Sequence, residues 1–220
     1  SLMTRRMVAV VDYGMGNLRS VSQAVMHVAQ AEDIEVRVTS RAQDVMAAER
    51  VVLPGQGHMA DCMNELAQSG LLDAVLHAAA HKPLFGVCVG MQMLLDRSEE
   101  GPCNGLGLIP GKVIAIPEHT ADGSRLKIPH IGWNGLVLPI GRKSWQGSLL
   151  ETTPVGTPMY FVHSFMACPD ASEHRLADCL YGDTRVAAVI GRDNVWGAQF
   201  HPEKSGEAGL KVLRHFVERS

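Results

Sequence analysis

The chain has 220 residues, 46% apolar and 20% charged, an ordinary globular composition long enough to bury one substantial core. Its net charge of −3 gives no electrostatic case for nucleic acid or an anionic membrane surface, and no apolar run approaches the ~18 residues of a membrane span. Five cysteines, at 62, 88, 103, 168 and 179, form no CxxC pair, which argues against a disulfide scaffold or zinc knuckle and suits a reducing cytoplasm.

Ser1-Leu2 ahead of Met3 reads as a cloning remnant, and Met3-Thr4-Arg5-Arg6 lacks the long apolar stretch of a signal peptide. The continuous apolar run from Met7 to Tyr13 predicts a strand covered on both faces. Gly14-Met15-Gly16-Asn17 then turns into a helix over Leu18–Gln30, with Asn17 as N-cap. A dinucleotide loop is rejected here, because the third glycine would fall at Arg19. Ile34–Thr39 alternates and predicts a strand with one wetter face. A short helix over Gln43–Ala48 and a buried strand at Arg50–Leu53 complete a rhythm that specifies a parallel α/β sheet.

Pro54-Gly55-Gln56-Gly57 is a glycine-rich turn at the carboxyl end of a parallel strand, where open α/β folds place their sites. His58–Ala80 carries helical pattern, broken at Ser69-Gly70. His77 and His81 have i,i+4 spacing but no third ligand nearby, so no metal site is expected.

The most informative stretch is Pro83–Gln92. An apolar strand ends in Gly86-x-Cys88-x-Gly90, the cysteine form of a nucleophile elbow, in which a tight turn lifts one side chain clear of the sheet. The turn sets Cys88 near the positive end of the next helix, expected over Met91–Asp96, where negative charge is favoured. Gln92 lies one helical turn beyond, so its amide can point back at Cys88.

Ser98–Gly107 reads as a loop with solvated carboxylates at Glu99 and Glu100. Val113–Ile116 and Ile128–Ile131 read as strands, and Trp133-Asn134 suits either an interface or a buried core position. Within the irregular Gly141–Pro158 a helix is expected over Ser144–Leu150, followed by one strand over Met159–Phe165. His163 beside Ser164 is a poor hydrolase pair, since neighbours on a strand point to opposite faces. Arg175–Tyr181 and Val186–Gly191 predict antiparallel strands. A final strand ends at His201, and a closing helix over Gly206–Glu218 buries Leu210, Leu213, Phe216 and Val217. In Gln199-Phe200-His201-Pro202-Glu203, positions two apart on extended chain share a face. A cysteine needs a base, and the base needs an orienting acceptor, so Cys88, His201 and Glu203 are the expected catalytic triad.

The elbow Gly-x-Cys-x-Gly-x-Gln with a late His-Pro-Glu resembles the class I (triad-type) glutamine amidotransferases. Further stretches are similar to the glutaminase subunits of imidazole glycerol phosphate synthases: Asp12–Leu18, Leu53–Gly57, Pro129–Asn134, Tyr160–Ser164 and His201–Gly206. The resemblance spans nearly the whole chain in order. It implies a single type 1 glutamine amidotransferase domain over 3–220. The implied fold is an open, mostly parallel, flavodoxin-like three-layer sheet with helices on both faces and an added antiparallel section. It also implies that Cys88 hydrolyses the side-chain amide of L-glutamine through a thioester, with no metal or organic cofactor. The backbone N–H of Val89, with that of Gln56 or Gly57, would bind the oxyanion, and Gly55, Gln92, Ser164 and Phe165 would hold the substrate. Gln56 departs from the small or aliphatic residue expected in that loop. The ammonia would pass to a (β/α)8-barrel cyclase subunit docked over Trp133, Asn134, Tyr160, Lys204, Gly14 and Asn17. Competing expectations are another amidotransferase subunit, a cysteine peptidase or γ-glutamyl hydrolase on the same fold, and a non-catalytic binding subunit.

Overall fold

The structure is a computed structural model and describes residues 6–218. The expectations placed on residues 1–5 lie outside the described residues. The first half alternates strand and helix: β1 (Met7–Val11), α1 (Leu18–Gln30), β2 (Glu35–Thr39), α2 (Ala42–Ala47), β3 (Arg50–Gly55), α3 (Met59–Gln68), α4 (Leu72–His81) and β4 (Leu84–Cys88). A four-residue helix α5 (Val89–Gln92) leads to short strands β5 (Arg97–Ser98) and β6 (Cys103–Asn104). Then follow β7 (Gly111–Ala115), β8 (His130–Gly135), β9 (Pro158–His163), β10 (Phe165–Pro169), β11 (Arg175–Tyr181), β12 (Thr184–Arg192), β13 (Val195–Ala198) and α6 (Gly206–Glu218).

The main sheet has seven strands in the order β11-β12-β13-β4-β3-β1-β2. Five run parallel, and β11 and β12 are antiparallel to their neighbours. Every residue of β1, β3 and β4 is buried. That follows from right-handed crossovers. The chain moves outward from β1 to β2 through α1, then back past β1 to β3 and on to β4 through α2, α3 and α4. Reversal of direction puts α1 on one face and α2 and α4 on the other. The packing agrees: α1 lies against α6, and α2 against α4. The crevice at the carboxyl ends of the strands is where such a sheet places a site.

Several local expectations are corrected. Asn17 makes no side-chain cap on α1. The helix expected over Met91–Asp96 is the single turn Val89–Gln92; Met91, Met93, Leu94 and Leu95 are apolar because all four are fully buried, not because a helix continues. No helix forms over Ser144–Leu150, where Trp145 instead turns inward and donates its Nε1–H to the Leu176 carbonyl at 2.7 Å. The strand expected over Met159–Phe165 is two strands: β9 pairs with β8, the chain bends at Ser164, and β10 joins a second sheet of order β10-β7-β5-β6. The break between α3 and α4 does fall at Ser69-Gly70, with Gly70 at φ +80°. Among the described residues no helix is long and apolar enough to cross a membrane.

Candidate active site

Three strand ends meet at one level. Gly55 closes β3 opposite Cys88, the last residue of β4, while Ala198 closes β13 opposite Val87. The residue after Ala198, Gln199, therefore lies beside Cys88, and His201 follows two positions on. The bend at Cys88 is sharp: φ +58° and ψ −114°, a conformation costing a non-glycine residue about 1–3 kcal/mol. It survives because its surroundings fit it closely. A Cβ on Gly90 would lie 2.1 Å from the Leu53 carbonyl oxygen, and one on Gly86 would lie 2.5 Å from the Gly90 oxygen. Both clashes are with main chain, so the two glycines of the elbow are required by close approach.

His201 is held from three sides. Its N–H donates to the Tyr160 carbonyl at 3.0 Å, and its own carbonyl accepts the Ser205 hydroxyl at 2.7 Å. Its Nδ1 lies 2.7 Å from Glu203 Oε1. A carboxylate only accepts, so the proton belongs to Nδ1, and Nε2 is left for Cys88. Burial alone would lower the imidazole pKa. Hydrogen bonding and charge from Cys88 and Glu203 overcome that penalty and raise it to about 9. The Glu203 side chain is 1% exposed, and its Oε2 has no hydrogen-bond partner among the described residues.

Cys88 and His201 open onto a pocket of about 420 Å³, with Glu203 behind them. Of the residues expected at the site, Cys88, His201, Val89, Gln56, Gly57, Gln92, Ser164, Phe165 and Lys204 line it. Gly55 does not; its Cα side packs against the Gly90 amide. The substrate-holding expectations need refinement. The Phe165 carbonyl already accepts two bonds, from His163 Nδ1 at 2.8 Å and from Gln92 Nε2 at 3.2 Å, and the Ser164 carbonyl accepts the Ile116 N–H at 3.0 Å. Gln92 is 3% exposed, and both its amide hydrogens are committed, the second to Gln199 Oε1 at 3.0 Å. Only its carbonyl oxygen is left for a ligand.

The groups expected at a partner face sit apart from the pocket, Lys204 excepted. Trp133 is 57% exposed and meets Tyr160 edge to face at 5.9 Å, so the open choice between core and surface resolves to surface. Gly14 is exposed and Asn17 half-buried. Asn134 is half-buried, its Nδ2 donating to the Leu180 carbonyl at 2.8 Å and to His130 Nε2 at 3.3 Å.

Sequence reasoning missed Glu100, His58, His163 and Gln199. Glu100, read as solvated, lines the pocket and bonds His58 Nδ1 at 2.9 Å and the Met59 N–H at 3.4 Å. The hydrogen bond to Glu100, and then its charge, raise the exposed His58 imidazole, which also lines the pocket. His163 lines it too; burial pushes it down to about 4, which keeps it neutral and makes it a weak base near neutral pH. Gln199 is fully buried with Nε2 3.8 Å from Cys88 Sγ. The alternation Gln199, His201, Glu203 was the available signal for it.

A buried cysteine on an elbow, beside a carboxylate-held imidazole above a pocket of amino-acid size, has the parts that thiol-dependent acyl transfer needs. A family model described as glutamine amidotransferase class-I matches residues 9–219. The chain is 48% identical over 213 residues to the imidazole glycerol phosphate synthase subunit HisH of Aromatoleum aromaticum, covering 96% of this chain and 97% of that protein. It is 44% identical over 213 residues to the subunit HisH 1 of Legionella pneumophila (strain Lens), covering 96% and 98%. The chain therefore belongs to the class-I glutamine amidotransferases, among the HisH subunits of imidazole glycerol phosphate synthase. Solved structures share the fold at lower identity. One glutamine amidotransferase has a TM-score of 0.68 at 17% identity, covering 96% of this chain and 97% of that one. The PurLQS structure from Thermotoga maritima has a TM-score of 0.66 at 18% identity, covering 97% and 98%.

Proposed function

We infer that this chain hydrolyses the side-chain amide of L-glutamine and delivers the ammonia to a cyclase subunit that makes imidazole glycerol phosphate in histidine biosynthesis. The observation that carries the chemistry is the His201–Glu203 pair set beside a strained, elbow-mounted Cys88. Cys88 sulfur, its proton passed to His201, attacks the amide carbon. The carbonyl π electrons move onto oxygen, which the Val89 N–H and the Gln56 or Gly57 N–H receive. The imidazolium gives its proton to the nitrogen, the C–N bond breaks, and ammonia leaves. His201 then takes a proton from water, whose oxygen attacks the thioester. Glutamate departs, and the proton returns to sulfur. Glu203 holds the Nδ1–H tautomer throughout. Glu100 gives the pocket a carboxylate to meet the ammonium of an amino-acid substrate.

Free ammonia near neutral pH is mostly ammonium and no nucleophile, so its delivery needs a sheltered route. The exposed Trp133, with Tyr160, Lys204 and the Gly14–Asn17 loop, supports docking of a (β/α)8-barrel partner on that side. We place the protein in the cytoplasm, a reading its five unpaired cysteines support.

The test is mass spectrometry after exposure to a chloroketone analogue of glutamine. Modification of Cys88 and of none of the other four thiols is expected; labelling elsewhere, or none, would overturn the assignment. Alone, the chain is expected to hydrolyse glutamine slowly, and the cyclase with its bound ligand to raise the rate strongly. Full activity in the isolated chain would refute the coupling.

A further inference from the structure

Hydrogen bonds link the β9–β10 bend to the sulfur of Cys88, and their direction is forced. Asn134 Nδ2 donates to His130 Nε2, so His130 carries its proton on Nδ1 and donates it to His163 Nε2 at 2.9 Å. His163 in turn donates from Nδ1 to the Phe165 carbonyl. That oxygen can only accept, so the side-chain atom of Gln92 facing it must be the amide nitrogen. The second N–H of Gln92 then requires an oxygen on Gln199, which turns the Gln199 amide nitrogen toward Cys88. A main-chain carbonyl thus fixes the orientation of a buried amide two side chains away.

We propose that Gln199 is an N–H donor to the Cys88 sulfur that stabilises its anionic form, and that Gln92 and the Phe165 carbonyl aim it. The proposal rests on the reading of Cys88 as nucleophile. Sulfur accepts hydrogen bonds weakly when neutral and much better when charged, so a donor fixed beside it favours the anion. Gln199 is suited to this because it is fully buried, neutral and unable to exchange protons with its surroundings. The ionisable groups around the sulfur are His201 and Cys62, with His163, His58, Glu100 and Lys204 on the pocket wall. None of them substitutes for a neutral donor on the β13 side. In this arrangement the amide hydrogens of Gln92 serve the nucleophile rather than the substrate.

The test measures the second-order rate of iodoacetamide alkylation at Cys88, read by mass spectrometry of its peptide, in the full chain at fixed pH. It needs no glutamine, so it separates this inference from the glutaminase reading. Inert wild-type Cys88 would sink that reading. Reactive wild-type Cys88 with unchanged variants would sink this one. Gln199→Leu is expected to slow alkylation roughly three- to tenfold: losing a hydrogen bond to a charged group cuts the anion about 10- to 100-fold, and the more basic sulfur left behind offsets about half of that on a logarithmic scale. Gln199→Glu, nearly identical in shape, is expected to slow it more, because an oxygen replaces the donor. A mere packing role predicts the opposite order, Glu milder than Leu, and that order would overturn the proposal. Gln92→Leu is expected to slow alkylation in the wild-type background and to add nothing to Gln199→Leu; additive effects would refute the aiming role. If Gln199→Leu fails to fold, Gln199→Glu and Gln92→Leu carry the test, and unchanged rates in both would overturn it. In the assembled enzyme, kcat should fall with KM held within about twofold.

Discussion

Replacing Glu203 by Gln tests the electrostatics of the site most directly, because it removes one charge and little volume. In the native protein His201 titrates at about 9. Burial works against the imidazolium, and Cys88 and Glu203 together overcome it. Of the two supports Glu203 ranks after Cys88, and its neutralisation is expected to lower His201 by about one unit, roughly 1.4 kcal/mol. The sign follows from the proton. A folded-state pKa above the unfolded value stabilises the protein fully below about 6.5, and that stability is lost as pH rises through about 9. In the proposed mechanism the same imidazolium protonates departing ammonia, so the alkaline limb of kcat/KM should move down with it, by about one unit. Trading a charged acceptor for a neutral one at 2.7 Å costs about 1.5–3 kcal/mol, roughly 10- to 100-fold in kcat at the optimum. The assay is NMR titration of the His201 ring, assigned with His201→Asn, alongside pH–rate profiles of the assembled enzyme. If His201 in the Glu203→Gln protein titrates within about 0.3 units of wild type, Glu203 does not sustain the imidazolium and the reasoning fails.

Gly90→Ala should abolish activity and lower the thermal midpoint by several degrees, since the new Cβ would sit 2.1 Å from the Leu53 oxygen and force the elbow away from β3. Differential scanning calorimetry with a glutaminase assay would show it, and a stable, active variant would contradict the close approach. Asp178 is 1% exposed and bonded by Arg175 at 2.7 Å and Arg185 at 3.2 Å; the arginines it would leave are 21% and 37% exposed, so Asp178→Ala should cost about 1.5–3 kcal/mol, roughly 5–10 °C in midpoint. A change below about 1 kcal/mol would mean the cluster contributes no net stability. Trp133→Ala should leave the midpoint within about 2 °C but weaken binding of the cyclase at least about 30-fold by titration calorimetry. Unchanged affinity would move the docking surface elsewhere.

How much of this was legible beforehand depended on where the deciding information lies. β1, β3 and β4 could be read as continuous apolar runs, because a strand covered on both faces has no polar side to alternate with. The α3–α4 break was readable because Gly70 supplies a left-handed residue. The bend at Ser164 was not: β9 and β10 keep strand-like residues on both sides, and changing pairing partner requires no change of residue type. Met91–Leu95 misled for the converse reason, since complete burial erases any helical period.

The site divides in the same way. The proposed triad of Cys88, His201 and Glu203 is legible because a nucleophile, its base and an orienting acceptor demand particular residue types at particular spacings. Gln199 lies 3.8 Å from the sulfur, yet nothing in its type announces a role. What orients its amide is the Phe165 carbonyl, acting through Gln92. Every residue owns a carbonyl, so no letter of the sequence marks the one that matters. Chemistry that depends on a side chain's identity is therefore visible in the sequence. Chemistry that depends on which way a neutral amide is turned becomes visible only when the main chain that turns it has been placed.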